Sequence, residues 1–276
     1  MPGVLELSYS QYQTVFNGLS FALASMLATF VFLLVVQGRV LPRYRQALVV
    51  SAMVCLIAAY HYYRIFNSFT EAYIATGAGE PATATVSYML VNGEGFNEGY
   101  RYVDWLLTVP LLLFETIAVL ALARSVRKNL MLKLIPASVL MIVLGYPGEI
   151  ATDNLARGIW GALSTIPFLY ILYILWVELS KSMKTQPNQV RKDLNGLRLL
   201  LLATWGVYPI AYLLPQLGIE SADAFVWRQV GYSVADVLAK CLFGLLIYKI
   251  AREKSFADDE AFATQEIKEA PSSVNS

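Results

Sequence analysis

The stretch RYVDWLLTVPLLLFE, Arg101–Glu115, decides the fold: it is apolar over most of its length, yet it carries Arg101, Asp104 and Glu115. A bilayer core of about 30 Å needs about 20 mostly apolar helical residues, and the run containing this stretch extends from Tyr100 to Ala123. Charged side chains inside such a span cost roughly 2.5–3.5 kcal/mol each on insertion scales, so each invites a functional reading. Asp104 and Thr108 lie one turn apart, and Asp104 and Glu115 are eleven residues apart, close to three turns at about 3.6 residues per turn. All three therefore share one face. At a rise of about 1.5 Å per residue, Glu115 stands about 16 Å from Asp104 along the axis.

Working outward, six further apolar runs qualify as spans: Val15–Val36, Ala47–Phe66, Leu130–Tyr146, Gly158–Leu179, Leu194–Leu214 and Phe225–Ile250. Lys133, Pro136 and Pro147 interrupt or bound the fourth span in chain order, and proline there is tolerable where neighbouring helices satisfy the freed carbonyls. The composition agrees: 57% of the 276 residues are hydrophobic and 15% charged, which favours a membrane protein over a soluble one. The net charge of +1 gives no global attraction for nucleic acid.

Basic residues gather after spans one, three, five and seven: Arg39, Arg43 and Arg45; Arg124, Arg127 and Lys128; Lys181, Lys184, Arg191 and Lys192; Arg252 and Lys254. The opposite side carries Glu6, Glu71, Glu80, Glu94, Glu98, Glu149, Asp153, Glu220 and Asp223. This bias places the N-terminus outside and the C-terminus inside. Because the first basic residue is Arg39, the opening apolar run reads as a first membrane helix rather than a leader. Cys55 and Cys241 lie within apolar runs and read as buried free thiols. Ala82–Val91, ATATVSYMLV, is β-prone and predicts a short extracellular β-hairpin between helices two and three. The expectation is an all-α seven-transmembrane-helix bundle over residues 1–254, followed by a polar, disordered cytoplasmic tail over 255–276.

On the seventh span, in ADVLAK (Ala235–Lys240), Asp236 and Lys240 lie one turn apart with Asp236 on the extracellular side. A buried cation in low dielectric needs paired negative charge, and Asp104, Asp236 and Arg101 can supply a mixed cluster around it. Taken alone, a lysine and an aspartate at this spacing could be a structural ion pair. Together with the aligned groups of the third span, they read as a counterion cluster on a path across the membrane.

Arg101–Glu115 and Ala235–Lys240 resemble the third and seventh helices of microbial rhodopsins, and the likeness extends to WGALSTIPFLYILYIL (Trp160–Leu175) and TWGVYP (Thr204–Pro209). Asp104, Thr108 and Glu115 resemble the motif of the bacterial proton-pump subgroup, nearest the proteorhodopsins and xanthorhodopsins. The resemblance implies a light-driven outward proton pump, a transporter rather than an enzyme, in the inner (plasma) membrane of a bacterium, with relatives forming trimers or pentamers. It implies all-trans retinal on Lys240 as a protonated Schiff base, Asp104 as proton acceptor, Asp236 as second counterion and Glu115 as cytoplasmic donor. Trp105, Leu112, Met141, Gly145, Trp160, Ser164, Trp205, Tyr208 and Pro209 would form the retinal pocket, Leu112 being a position whose leucine form implies green absorption. Aromatic packing in any helical bundle would also account for the tryptophans.

The resemblance further implies that His61, the one histidine of the chain, pairs with Asp104; the plain alternative is a hydrogen-bonded packing residue. At Gly161, a glycine in the xanthorhodopsin-like group leaves a window for an antenna carotenoid such as lutein, zeaxanthin or salinixanthin. A small residue that lets helices approach closely is the alternative. No counterpart of the paired release glutamates of archaeal pumps stands out, Glu220 and Asp223 being weak candidates. An anion pump would need a neutral residue in place of Asp104, and a sodium pump of this family would carry Asn, Asp and Gln where this chain has Asp, Thr and Glu. A retinal photosensor signalling to a partner protein is the rival of another class, against which Glu115 argues. A seven-helix receptor without retinal would form no coloured pigment.

Overall fold

The computed structural model describes residues 6–76, 86–90, 95–214, 217–219 and 221–269. Helix α1 (Tyr9–Val36) opens on a capping box, in which Ser8 accepts from the Gln11 amide while the Gln11 side chain bonds back to Ser8, satisfying two amides with no intrahelical partner. Helix α2 (Pro42–Ala72) starts on a proline in its first turn, where the missing N–H costs nothing. Then follow α3 (Gly99–Ala118), α4 (Arg124–Glu149) and α5 (Asn154–Tyr173), the last capped by Asp153.

A π turn over Ile174–Glu178 joins α5 to α6 (Leu179–Met183), and these form one rod. The sixth rod is α7 (Asn188–Trp205) with α8 (Val207–Leu213). The seventh is α9 (Ala222–Asp236), a π turn over Val237–Leu242, and α10 (Phe243–Asp258). Six of the rods are long and apolar enough to cross a membrane, and α3, with its ionisable residues, is the seventh of the bundle. Many large apolar side chains face outward, Val35 at 75% and Leu155 at 72% exposure among them, as a lipid-facing surface requires.

Two sequence expectations need correction. The third span ends at Ala118 rather than Ala123, because Ala121 takes a left-handed conformation (φ 49°) that turns the chain into α4. The predicted hairpin between helices two and three is present, and a third strand extends it into an antiparallel sheet: β3 (Ser87–Leu90) lies between β2 (Tyr73–Thr76) and β1 (Glu6–Ser8). Residues 82–85 and 91 of the predicted β segment lie outside the described residues, as do Glu80, Glu94 and Glu220. The sheet is pinned to the bundle by the Tyr12 ring, stacked on Tyr88 at 3.8 Å and on Phe69 at 4.9 Å.

The tail, expected to be disordered over 255–276, is helical through Asp258 and again over α11 (Glu260–Glu269), while residues 270–276 lie outside the described residues. Glu266 reaches Arg252 at 3.3 Å and Arg39 at 4.0 Å, and Asp258 bonds Arg43 and Tyr44. The tail is acidic, with Asp258, Asp259, Glu260, Glu266 and Glu269 against the single Lys268, so it finds partners on the basic cytoplasmic rim.

Candidate functional site

Lys240 lies within the second π turn, with its side chain 2% exposed. Its ammonium donates to Asp104 Oδ2 at 2.8 Å and to Asp236 Oδ1 at 2.6 Å. Asp236 at the end of α9, Lys240 one turn on, and Asp104 of α3 therefore meet as the expected counterion cluster. Arg101, buried to 2% exposure, stands 3.9 Å from Asp236 Oδ2. Two cations face two carboxylates, all buried, a balance that an unpaired buried charge would lack.

The two carboxylates are held unequally. Tyr62 donates to Asp236 Oδ2 at 2.7 Å and Tyr208 to Asp236 Oδ1 at 2.6 Å, so both oxygens are occupied. Asp104 Oδ1 has no hydrogen-bond partner among the described residues. The His61 Nδ1 is 3.8 Å from that oxygen and 2.9 Å from the Ile57 carbonyl. The expected His61–Asp104 pair is thus a near approach rather than a hydrogen bond, because the ring bonds its own helix one turn back. Thr108 likewise bonds the Asp104 carbonyl at 2.9 Å and not the ion pair.

Toward the outside, Arg101 donates to Gln229 Oε1 at 2.6 Å, Gln229 bonds Glu98, and Arg228 meets Glu98 at 2.9 Å. Toward the inside, Glu115 is fully buried and accepts from the Ser51 hydroxyl, and its Oε1 has no partner among the described residues. Sequence reasoning missed Tyr62, Ser51, Gln229 and Glu98. For two of them a signal existed: Ser51 and Tyr62 are eleven residues apart on α2, the spacing of Asp104 and Glu115 on α3.

From Lys240 a cavity of about 400 Å³ runs between the helices. It is lined by the predicted Trp105, Leu112, Met141, Gly145, Gly161, Ser164, Trp205, Tyr208 and Pro209, together with Asp236 and Lys240. Trp160 does not line it, a correction to the expected pocket. Gly161 does, and a Cβ there would come within 2.9 Å of the Tyr212 ring, so this glycine is what lets Tyr212 lie against α5. An elongated, mostly apolar cavity ending on a primary amine suits a flat polyene aldehyde: ligand pockets run from about 300 Å³ upward and are largely apolar with a few placed polar groups. The Asp236 carboxylate, which lines the cavity, supplies one such group beside the amine.

The profile of the bacteriorhodopsin-like protein family matches residues 14–254. The solved structure of a thermophilic rhodopsin is 47% identical, with a TM-score of 0.85, covering 93% of this chain and 99% of that one. The structure of xanthorhodopsin, a light-driven ion pump with dual chromophore, is also 47% identical, with a TM-score of 0.84 and the same coverage. The green-light absorbing proteorhodopsin of Gamma-proteobacterium EBAC31A08 is 31% identical over 245 residues, 87% of this chain and 88% of that one.

Proposed function

The chain belongs to the bacteriorhodopsin-like family, the microbial rhodopsins, and from that premise we propose that it is a light-driven outward proton pump of a bacterial plasma membrane, with retinal bound at Lys240. The observation that carries this reading is the Lys240 ammonium held between Asp104 and Asp236 at the end of an apolar cavity. Glu115 is buried on the same face of α3 toward the cytoplasm, about 16 Å further along the helix.

When bound through an imine to Lys240, retinal supplies the light-driven isomerisation that makes the nitrogen-bound proton mobile. Asp104 receives that proton, because its Oδ1 has no competing donor while both Asp236 oxygens are occupied. Asp236 stays as the fixed anion, braced by Tyr62, Tyr208 and the nearby Arg101 guanidinium. From Arg101 the hydrogen bonds continue through Gln229 to Glu98 and Arg228 near the outer surface, which is a route for release. Glu115 holds a proton in its apolar surroundings until the nitrogen of residue 240 needs one, since burial disfavours a charged carboxyl. Moving one charge against 100 mV costs about 2.3 kcal/mol, a small fraction of a visible photon.

Two finer proposals rest on the resemblance. An antenna carotenoid, of the lutein, zeaxanthin or salinixanthin kind, would seat beside Gly161, supported by that glycine lining the cavity; sensitised pumping lost in Gly161→Trp is the check. A homo-oligomer, pentamer or trimer, is the assembly expected in the bilayer, read by native mass spectrometry. The pumping proposal itself is tested by expressing the chain with all-trans retinal and following external pH. Light should acidify the medium, a protonophore should abolish the change, and Lys240→Ala should show neither colour nor acidification. A coloured protein that moves no protons would favour the sensor reading.

A further inference from the structure

A second cavity, of about 580 Å³, lies at the cytoplasmic end of the bundle where α6 passes into α7. Its lining includes Lys184, Arg191, Lys192 and Arg198, with the amides of Asn188 and Asn195, and no acidic side chain. The nearby acids are engaged elsewhere: Asp193 pairs with Lys249 at 2.8 Å, and Glu178 with Lys181 at 3.1 Å and Lys133 at 3.7 Å. Basic residues on this face are expected from membrane topology alone, so a run of surface lysines would mean little.

Arg198 is different. It is only 7% exposed, yet its hydrogen bonds go to neutral acceptors: the Leu175 carbonyl at 2.9 Å, the Ser180 hydroxyl at 2.7 Å and the Asn195 side chain. Its Nε has no partner among the described residues, and no carboxylate there lies within 4.0 Å. A buried guanidinium without a counter-charge is costly, and the cavity it lines gives an anion access to it.

The start of α7 adds to this. Asn188 opens an 18-residue helix with no side-chain cap on its first amides, and helix N-termini attract anions through free N–H groups and the axial dipole. Asn188, Arg191 or Lys192, Asn195 and Arg198 recur every three or four residues, so one face of α7 carries the donors. A guanidinium fork, ammonium groups and helix amides together match the oxygens of a tetrahedral phosphoryl group.

We infer that this cavity binds a phosphate-bearing anion, either the headgroup of an anionic phospholipid of the cytoplasmic leaflet or a free phosphate from the cytoplasm. The bound anion neutralises Arg198 and ties α6 to α7. This inference is independent of the retinal site.

Calorimetric titration of the purified full-length protein in neutral detergent tests it, with inorganic phosphate in one arm and dihexanoyl phosphatidylglycerol in the other. At least one probe should bind, and Lys184→Gln/Arg191→Gln/Lys192→Gln should weaken it by about 10-fold or more. The control Arg124→Gln/Arg127→Gln/Lys128→Gln removes the same charge at the α3–α4 turn and should change it less than about 2-fold. Binding of phosphate identifies the soluble source, and binding of phosphatidylglycerol alone the lipid source. Failure of both probes to bind, or equal weakening by the two triple variants, overturns the inference. Helical circular dichroism checks folding. Should the triple variant not fold, Lys184→Gln on the exposed connection is read instead, with a loss of about 5-fold expected and no loss counting against the site.

Discussion

At the scale of single residues, the proposed division of roles rests on two aspartates at similar distance from one amine that have different hydrogen-bond environments. Asp236 is saturated by Tyr62, Tyr208 and Lys240, whereas Asp104 keeps one oxygen free. An acceptor must have room for an incoming proton, and a structural anion must not. The same reasoning applies to Glu115, whose one hydrogen bond among the described residues comes from the Ser51 hydroxyl. Glu115→Gln should keep colour and fold while slowing reprotonation of the Lys240 nitrogen by about 10²-fold or more, as flash photolysis would measure; an unchanged rate would remove Glu115 from the path. His61, at 3.8 Å from the free Asp104 oxygen, is placed to influence that carboxyl through space rather than by a direct hydrogen bond. His61→Asn should still move the midpoint of the acid titration of visible absorption, and an unmoved midpoint would reduce the histidine to a packing residue.

At the scale of elements, strained and widened turns mark where the helices are adapted. The second π turn contains Lys240 itself, consistent with π turns appearing at functional positions in helices. Gly244 follows it, and a Cβ there would sit 3.1 Å from Leu33, so the glycine permits close packing of α10 on α1. The α3–α4 turn turns on Ala121 at φ 49°, a conformation disfavoured for residues with a Cβ. Ala121→Gly should therefore raise stability by about 1 kcal/mol or less, seen as slower thermal bleaching, and a loss of stability would contradict the strain.

These elements also show what sequence could and could not reveal. Span identity, the shared face of Asp104 and Glu115, and the Asp236–Lys240 pairing were legible because helical periodicity alone determines them. The end of α3 was not, since a left-handed alanine leaves no compositional mark. Nor was the extracellular chain Arg101–Gln229–Glu98, which joins residues more than a hundred positions apart through tertiary packing. The π turns likewise have no signature in residue type. Trp160 was assigned to the pocket by resemblance, and its place on α5 directs it elsewhere.

At the scale of the whole molecule, charge is distributed in three layers: a balanced buried cluster, an acidic outer end and a basic inner rim. The rim binds the tail through Arg39 and Arg252 to Glu266, where the arginine side chains are 51% and 28% exposed. Exposed ion pairs contribute about 0–1 kcal/mol. Glu266→Lys should accordingly release α11 with a stability change of about 1 kcal/mol or less and leave proton transport intact; loss of transport would assign the tail a role in the cycle.

In the proposed pump the direction of transfer rests on the buried cluster, where only Asp104 keeps an oxygen without a hydrogen-bond partner among the described residues. Light-minus-dark infrared difference spectroscopy of the retinal-bound protein measures this directly, by following the carboxyl C=O stretch. The account predicts a transient protonated-carboxyl band that disappears in Asp104→Asn and persists in a still-coloured Asp236→Asn. A band that survives in Asp104→Asn and vanishes in Asp236→Asn would contradict it.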